Sequence, residues 1–337
     1  MLYKRCVYDN WRLTMFLTNR HPPEELLQLE ALSHRTSLDD KNHQQLERLS
    51  LGYQGECLYD HVFTEVGHEN LHIYRDIYLK IEESTNKYDT LIITDHGIIV
   101  NEIKNFKGTY TVSEGSWALG DFVLPDDPFA QLRRAIGKLR RLSNLSDLNF
   151  KVSGKLIFPN EECTLIINDE KLKENIIIRS NLRRYFERFK QSYSSNYASA
   201  ITNVIDEHIV ENPYLKEGVA FDDIRHGLYC EACRSFDLST ERYHLRCLSC
   251  GTLETKETHL VRAISDFKHL FEKLPITTDK MMRFTGGLIS KRTVQRVLNK
   301  YCDRNGDNKA ATYSFKYYDF AEAMKDKSIS RRYKDNR

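Results

Sequence analysis

The sequence predicts a mixed α/β fold: a mixed sheet core flanked by helices, followed by a small metal-bound ribbon and a helical carboxy-terminal domain. Three observations lead there. Apolar, β-branched runs at residues 90–94 and 97–103 flank Asp95-His96, which reads as a hairpin turned in two residues. Stretches of helical period stand on both sides of these strands, as they do where helices pack on a sheet. Cys230-x-x-Cys233 and Cys247-x-x-Cys250 repeat one knuckle pattern in a chain of 337 residues, long enough for two or three domains.

Pro22-Pro23 opens a short helix over residues 24–32, whose leucines fall on one face. A second helical stretch covers residues 38–66, with a break expected near Gly52-Tyr53 and Glu56 in its later half. Residues 71–79 read as a strand, followed by a polar loop and then the hairpin. Pro128 suits the first turn of a basic helix over 129–145. Beyond it, 151–159, 163–168 and 176–179 read as strands and 180–191 and 195–210 as helices, until Asn212-Pro213-Tyr214 breaks the pattern. The expected division is a helical segment over 1–50, a sheet domain over 51–212, a ribbon over 225–258 and a helical domain over 259–337.

The hairpin carries the chemistry. With Asp95-His96 as the loop, Thr94 faces Gly97, and counting outward sets Asp89 opposite Glu102. Glu102 and Lys104 then share a face, while Ile103 points the other way into a core. Two carboxylates gathered with an ammonium on one surface are costly to bury without a counter-ion. Mg²⁺ (or Mn²⁺) answers that need by taking one or two carboxylates along with water and phosphate oxygens, and Lys104 could orient an attacking water. Asp95 competes for the first carboxylate position, but a place at the loop tip before His96-Gly97 reads as turn chemistry.

Around the hairpin lie Gly55-Glu56 on the preceding helix, Lys104-Asn105-Phe106-Lys107-Gly108 after the second strand, Trp117, and Asp127-Pro128-Phe129-Ala130-Gln131 before the basic helix. Together these resemble the nuclease-related domain family, NERD, a branch of the restriction-endonuclease-like PD-(D/E)xK nucleases, over roughly residues 50 to 145. The resemblance implies a restriction-endonuclease-like core of order helix, three strands, helix, strand. It also implies metal binding by Asp89 and Glu102, a water-handling role for Lys104, and places for Glu56 and Gln131 at the edge of the site. Asn101 departs from the family wording, which has an apolar residue there, so weaker packing is expected at that position.

The doubled cysteine knuckle has 13 residues between Cys233 and Cys247 and offers four thiolates to one tetrahedral ion with no open position, the pattern of a structural zinc site. Gly251 permits the turn after the last ligand. Beyond the ribbon, helical stretches at 277–285 and 290–301 around Gly286-Gly287 read as a helix-turn-helix, with Ser290 as cap and residues 310–317 as a flanking strand like a wing. Val294, Val297, Leu298 and Tyr301 would face inward. Lys291, Arg292, Gln295, Arg296 and Asn299 would face outward, a set suited to phosphates and base edges.

Net charge is +2, but residues 259–337 hold 18 Lys or Arg against 9 Asp or Glu, a balance of +9 that leaves −7 for the rest. The basic end is the electrostatic candidate for nucleic acid, and its last residues, 325–337, read as frayed. No run approaches the roughly 18 apolar residues of a membrane span. Residues 1–12 lack the apolar core of a signal peptide, and clustered rather than paired cysteines suit a reducing cytoplasm. The expectation is a metal-dependent nuclease acting on DNA, held to its substrate by the ribbon and the basic domain. The alternative is a non-catalytic nucleic-acid-binding or scaffold protein, working with protein partners in a DNA-processing or defence system.

Overall fold

Burial divides the apolar residues into three clusters, and the first and third lie on opposite faces of one sheet. The computed structural model describes residues 16–67, 71–113, 115–190, 195–214, 218–306 and 311–335. In chain order, helices α1 (Glu24–Ser33) and α2 (Asp40–Val66) lead into strands β1 (His72–Ile81), β2 (Ser84–Thr94) and β3 (Gly97–Ile103). Three short strands follow, β4 (Gly108–Ser113), β5 (Ser116–Leu119) and β6 (Phe122–Val123), then helix α3 (Pro128–Leu145) and strands β7 (Val152–Phe158) and β8 (Cys163–Ile167). Next come α4 (Glu170–Lys173), β9 (Ile176–Ile178), α5 (Arg179–Glu187), α6 (Asn196–Asp206) and β10 (Ile209–Val210). Two compact units result: one takes the described residues up to 21 and 48–214, the other 22–47 and those from 218 onward.

The first unit is a mixed six-stranded sheet of order β10-β1-β2-β3-β7-β9, antiparallel from β10 to β3 and parallel from β3 to β9. Helices cover both faces. Leu91, Ile93, Val100 and Leu156 enter a core with Leu132 and Leu139 of α3 and Ile201 of α6, whereas Ile92, Ile103 and Ile157 join Tyr59 and Phe63 of α2 and Phe186 of α5. The expected order of helix, three strands, helix, strand is present. Between β3 and α3, however, the chain inserts β4–β6, which form a second sheet of order β6-β5-β4-β8 and hold Trp117 in the core.

Several local expectations change. α2 does not break near Gly52-Tyr53: nothing lies within 4 Å of a Cβ at Gly52, and the buried Tyr59, Val62 and Phe63 hold the helix against the roughly 1 kcal/mol that a glycine costs. The polar stretch before the hairpin is strand, since β2 begins at Ser84 and pairs with β1 up to Ile81. Residues 209 and 210 leave the helix and add β10 to the sheet edge. Asn101 does not weaken packing. It is fully buried, donating to the Tyr59 hydroxyl at 2.6 Å and accepting from the Tyr185 hydroxyl at 2.8 Å, so its amide replaces apolar contact with two satisfied hydrogen bonds.

The second unit contains the three-stranded ribbon sheet of β11 (Leu238–Thr240), β12 (His244–Cys247) and β13 (Leu253–Thr255), then α7 (Lys256–Leu270), α8 (Thr278–Phe284) and α9 (Lys291–Tyr301). A hairpin of β14 (Cys302–Asn305) and β15 (Thr312–Phe315) follows, and α10 (Phe320–Lys325) closes the element order. α7 is the hub, with Leu260, Ile264 and Phe267 among the buried residues that gather α1, α8 and α9 around it. Residue 310, the first of the expected wing strand, lies outside the described residues, as do Cys6 and the rest of 1–15. The stretch from 325 to 335 is not frayed: Asp335 accepts from the Thr255 N–H at 2.7 Å and the Thr258 hydroxyl at 3.0 Å, and Tyr333 stacks on Tyr243 at 4.0 Å between ring centroids. No helix among the described residues is long and apolar enough to cross a membrane.

Three histidines of this unit are held neutral. Burial, aided by Arg234, pushes His34 down to about 4; burial with Arg262 takes His259 to about 3; burial with Lys268 takes His269 to about 4. Their folded values lie below the unfolded value of about 6.5, so the unfolded chain binds protons first. Stability is therefore complete above pH 6.5 and falls as pH drops toward 4, by about 1.4 kcal/mol per pH unit per histidine. Calorimetry from pH 7.5 to 4.5 should show the melting of this unit dropping steeply below pH 6.5. A flat profile would refute the account.

Candidate functional site

The β2–β3 hairpin turns as its residues require. Gly97 has φ +117°, and a Cβ there would sit 2.0 Å from the Lys151 carbonyl, which accepts the Ile98 N–H at 2.8 Å as β7 joins β3. Register runs from Thr94 opposite Gly97 to Thr90 opposite Asn101, so the next pair outward is Asp89 and Glu102. At that row pairing gives way to a side-chain bond: the Ile103 N–H donates to Asp89 Oδ2 at 2.9 Å. Asp95 stands at the far tip, accepting from the Ser195 hydroxyl at 2.5 Å and the Ser195 N–H at 3.0 Å, and so belongs to the start of α6.

The same row is where the strands lose strict alternation. Tyr74 and Ile77, three apart, enter one core cluster, and so do Tyr88 and Leu91, although residues three apart in a regular strand face opposite ways. Asp76 sits at the break with φ +52°, a left-handed conformation rare for a non-glycine residue. The break gathers charge. Glu102 is buried and accepts from Lys104 Nζ at 2.8 Å, and the same ammonium donates to Gln131 Oε1 at 2.7 Å from the first turns of α3. Asp127 caps that helix, taking the Phe129 N–H at 2.9 Å and Trp117 Nε1 at 3.2 Å, so the inserted sheet helps place Gln131.

Glu56 approaches from α2, where Gly55 allows Asn105 against the helix: a Cβ at Gly55 would lie 2.4 Å from Asn105 Cβ. Asn105 Nδ2 donates to the Leu51 carbonyl at 2.8 Å, so this strand exit is pinned, while Lys107 pairs with Glu162 on the surface. Glu56 is buried and bound by Arg20 at 2.8 Å and by Lys87 at 3.5 Å; burial alone would raise its pKa, but these two cations outweigh it and hold the carboxyl below its usual range. Asp89 goes the other way. Burial first, then Glu102 and Glu56, raise it to about 7 against the pull of Lys87 and Lys104. This repulsion between hard oxygen donors, only partly offset by Lys87 and Lys104, is what a divalent cation beside Asp89 and Glu102 would remove, so the donor set fits such an ion.

The structure thus brings Asp89, Glu102, Lys104 and Gln131 to one place with Glu56 beside them, and adds Arg20, Asp76 and Lys87, which sequence reasoning missed. Arg20 has 2% of its side chain exposed and reaches Glu56, Asp60, the Asp89 carbonyl and the Thr90 hydroxyl. Its segment has no period to flag it. Arg75-Asp76 was a visible polar pair inside an apolar strand, and Lys87 stands two residues before Asp89, but nothing local linked either to Glu56.

In the second unit the sulfurs of Cys230, Cys233, Cys247 and Cys250 all lie within 4.8 Å of one another, close enough to hold one metal ion, and no other set of three or more His, Cys, Asp or Glu among the described residues is gathered so tightly. The Cys230–Cys250 and Cys233–Cys247 separations are 3.6 and 3.5 Å, far beyond a disulfide and near the roughly 3.8 Å edge that bonds of about 2.3 Å to a tetrahedral ion require. Two tight turns build it: Arg234 N–H donates to the Cys230 carbonyl and Gly251 N–H to the Cys247 carbonyl, with Gly251 at φ +77°. His244 contacts the Lys334 carbonyl at 3.0 Å and stands apart from the sulfurs' partners.

On α9, Val294, Val297, Leu298 and Tyr301 are buried, while Lys291, Arg292, Gln295, Arg296 and Asn299 are exposed. Gly286 and Gly287, at φ +68° and +70°, make the turn from α8. Ser290 occupies the cap position, yet its hydroxyl contacts that of Thr293 at 3.0 Å and no cap bond to the backbone forms. Lys291 pairs with Asp279 at 2.8 Å on the surface, and Arg292, Gln295, Arg296 and Asn299 are exposed with it on the same helix, which leads into β14.

Residues 51–159 match the family model of the nuclease-related domain, which spans the whole constellation from Glu56 to Gln131. Neither a curated protein nor a solved structure matches the chain. The match makes this region nuclease-like and gives its substrate class as nucleic acid.

Arg20 is the keystone cation of this cluster. Replacing it, Arg20→Ala, leaves buried Glu56 with Lys87 alone and buried Asp60 with Arg75 alone, and should cost about 3–5 kcal/mol of stability. Chemical denaturation of the two proteins at pH 7.5 checks this; a loss under about 1 kcal/mol, the scale of a surface pair, would show that Arg20 is dispensable.

Proposed function

We propose that the first unit is a divalent-metal-dependent nuclease hydrolysing DNA phosphodiesters, and that the second unit docks the nucleic acid. The observation that carries this reading is the convergence of Asp89, Glu102, Lys104 and Gln131 at the one row where the hairpin stops pairing. Asp89 and Glu102 would hold Mg²⁺ or Mn²⁺, which when bound polarises a phosphate oxygen and makes its water more acidic. Lys104, which donates to both Glu102 and Gln131, would orient the attacking water and stabilise charge developing on the phosphate. Gln131 is its positioning partner. Glu56, held ionised by Arg20 and Lys87, keeps negative charge at the edge of the site.

In the same reading residues 51–212 form the catalytic domain, 225–258 a zinc ribbon and 259–337 a basic domain that meets DNA through Lys291, Arg292, Gln295 and Arg296 of α9. Four cysteines with no open position make the zinc structural. Thiols kept for metal suit a reducing cytoplasm.

Incubation of the full chain with linear and circular DNA in Mg²⁺, Mn²⁺ or EDTA should give metal-dependent cutting. Glu102→Ala and Lys104→Ala should each lower the rate at least a hundredfold while leaving the fold intact. DNA binding without cutting in every protein would replace the nuclease reading with a docking platform. Separately, Cys247→Ser should lose the single equivalent of zinc and melt the ribbon. Zinc retained at one equivalent in that variant would remove the structural-zinc assignment.

A further inference from the structure

Two-metal phosphodiesterase sites set their ions about 3.5–4 Å apart, each held by its own carboxylates. Here the carboxylates that could build a second position beside Asp89 are Glu56 and Asp76, and both already face one ammonium. Lys87 Nζ lies 2.8 Å from Asp76 Oδ1 and 3.5 Å from Glu56 Oε1, with a third of its side chain exposed. The other oxygen of Glu56 is taken by Arg20 at 2.8 Å. Asp76 Oδ1 has the Lys87 ammonium at 2.8 Å as its cationic partner, and against burial, which lowers it, the Glu56 and Asp76 carboxylates both raise the pKa of that ammonium.

We infer that Lys87 stands in for a second divalent cation, so that the site takes one divalent ion per chain. The break in strand alternation explains how it gets there. Asp76 adopts φ +52° at the row of Asp89, and Lys87, two residues before Asp89, reaches the side of the sheet from which Glu56 comes. Charge balance agrees. Glu56, Asp60, Asp76, Asp89 and Glu102 face Arg20, Arg75, Lys87 and Lys104, five carboxylates against four cations, and that single excess negative charge becomes +1 with one divalent ion. A second ion would bring the cluster to +3 and would have to displace an ammonium from two acids that have little water to replace it.

This inference rests on the proposed metal-dependent reading, and ion counting separates the two. Mn²⁺ bound to the full chain at pH 8 is counted by the loss of the free-ion electron spin resonance signal, with zinc measured independently. The wild type and Lys87→Arg should each bind one Mn²⁺, Glu102→Ala none, and Lys87→Met two, since it frees Glu56 and Asp76 for a second ion. Two ions in the wild type, or one in a Lys87→Met protein whose melting is unchanged, would overturn the role given to Lys87 alone. No Mn²⁺ in the wild type would instead overturn the metal-dependent reading and this inference with it. Should Lys87→Met fail to fold, the wild-type and Lys87→Arg counts decide the matter.

Discussion

The buried guanidinium of Arg20 is the contact on which the first unit's architecture depends. It joins the segment before the helices to Glu56 and Asp60 on α2 and to the backbone and side chain of β2, so one cation fixes the distance between a helix and the strand that carries Asp89. Burying so many acids is unfavourable unless each is matched by a cation or hydrogen-bond donor held in place. Arg75 completes the match at Asp60, stacked 3.7 Å over the ring of Phe16. The apolar cores on either side exclude water from this network and make its pairing obligatory.

Against that network the site is a controlled imperfection of the sheet. Regular strands would alternate their side chains through residues 74–77 and 88–91 and leave no gap for charge. The left-handed residue Asp76 breaks the pattern on β1, β2 follows it, and the freed row holds acids instead of apolar side chains. Strain of this kind costs roughly 1–3 kcal/mol and persists where its surroundings impose it. Here the imposing groups are Lys87 and the two packed cores.

Local rules make the hairpin legible from its sequence alone. A two-residue loop fixes register, and register plus alternation carried Asp89 to Glu102 and Glu102 to Lys104 without knowledge of the rest of the fold. Gln131 and Glu56 came through resemblance, and the cysteine knuckles through spacing alone. What stayed hidden depends on partners distant in sequence. Arg20 lies 36 residues from Glu56 and 70 from Thr90, and no period or motif connects them. Asn101 looked like a packing defect because its two tyrosine partners sit 42 and 84 residues away. The break expected in α2 failed for the same reason, since a glycine's propensity is local and the tertiary packing that overrides it is not. The inserted strands β4–β6 are short and partly polar, so their period was too weak to separate them from a loop.

The two contacts of Lys104 differ in how far along the chain they reach. Its bond to Glu102 spans two residues, whereas its bond to Gln131 spans 27 and waits on the inserted sheet, the Asp127 cap and the start of α3. Contacts of such different sequence separation form at different stages of folding, local ones first, because closing the longer loop costs more chain entropy. An emerging or partly unfolded chain can therefore pair Lys104 with Glu102 before Gln131 is there to hold the ammonium from its other side. The last tether of the site is thus supplied by the helix that follows the inserted sheet.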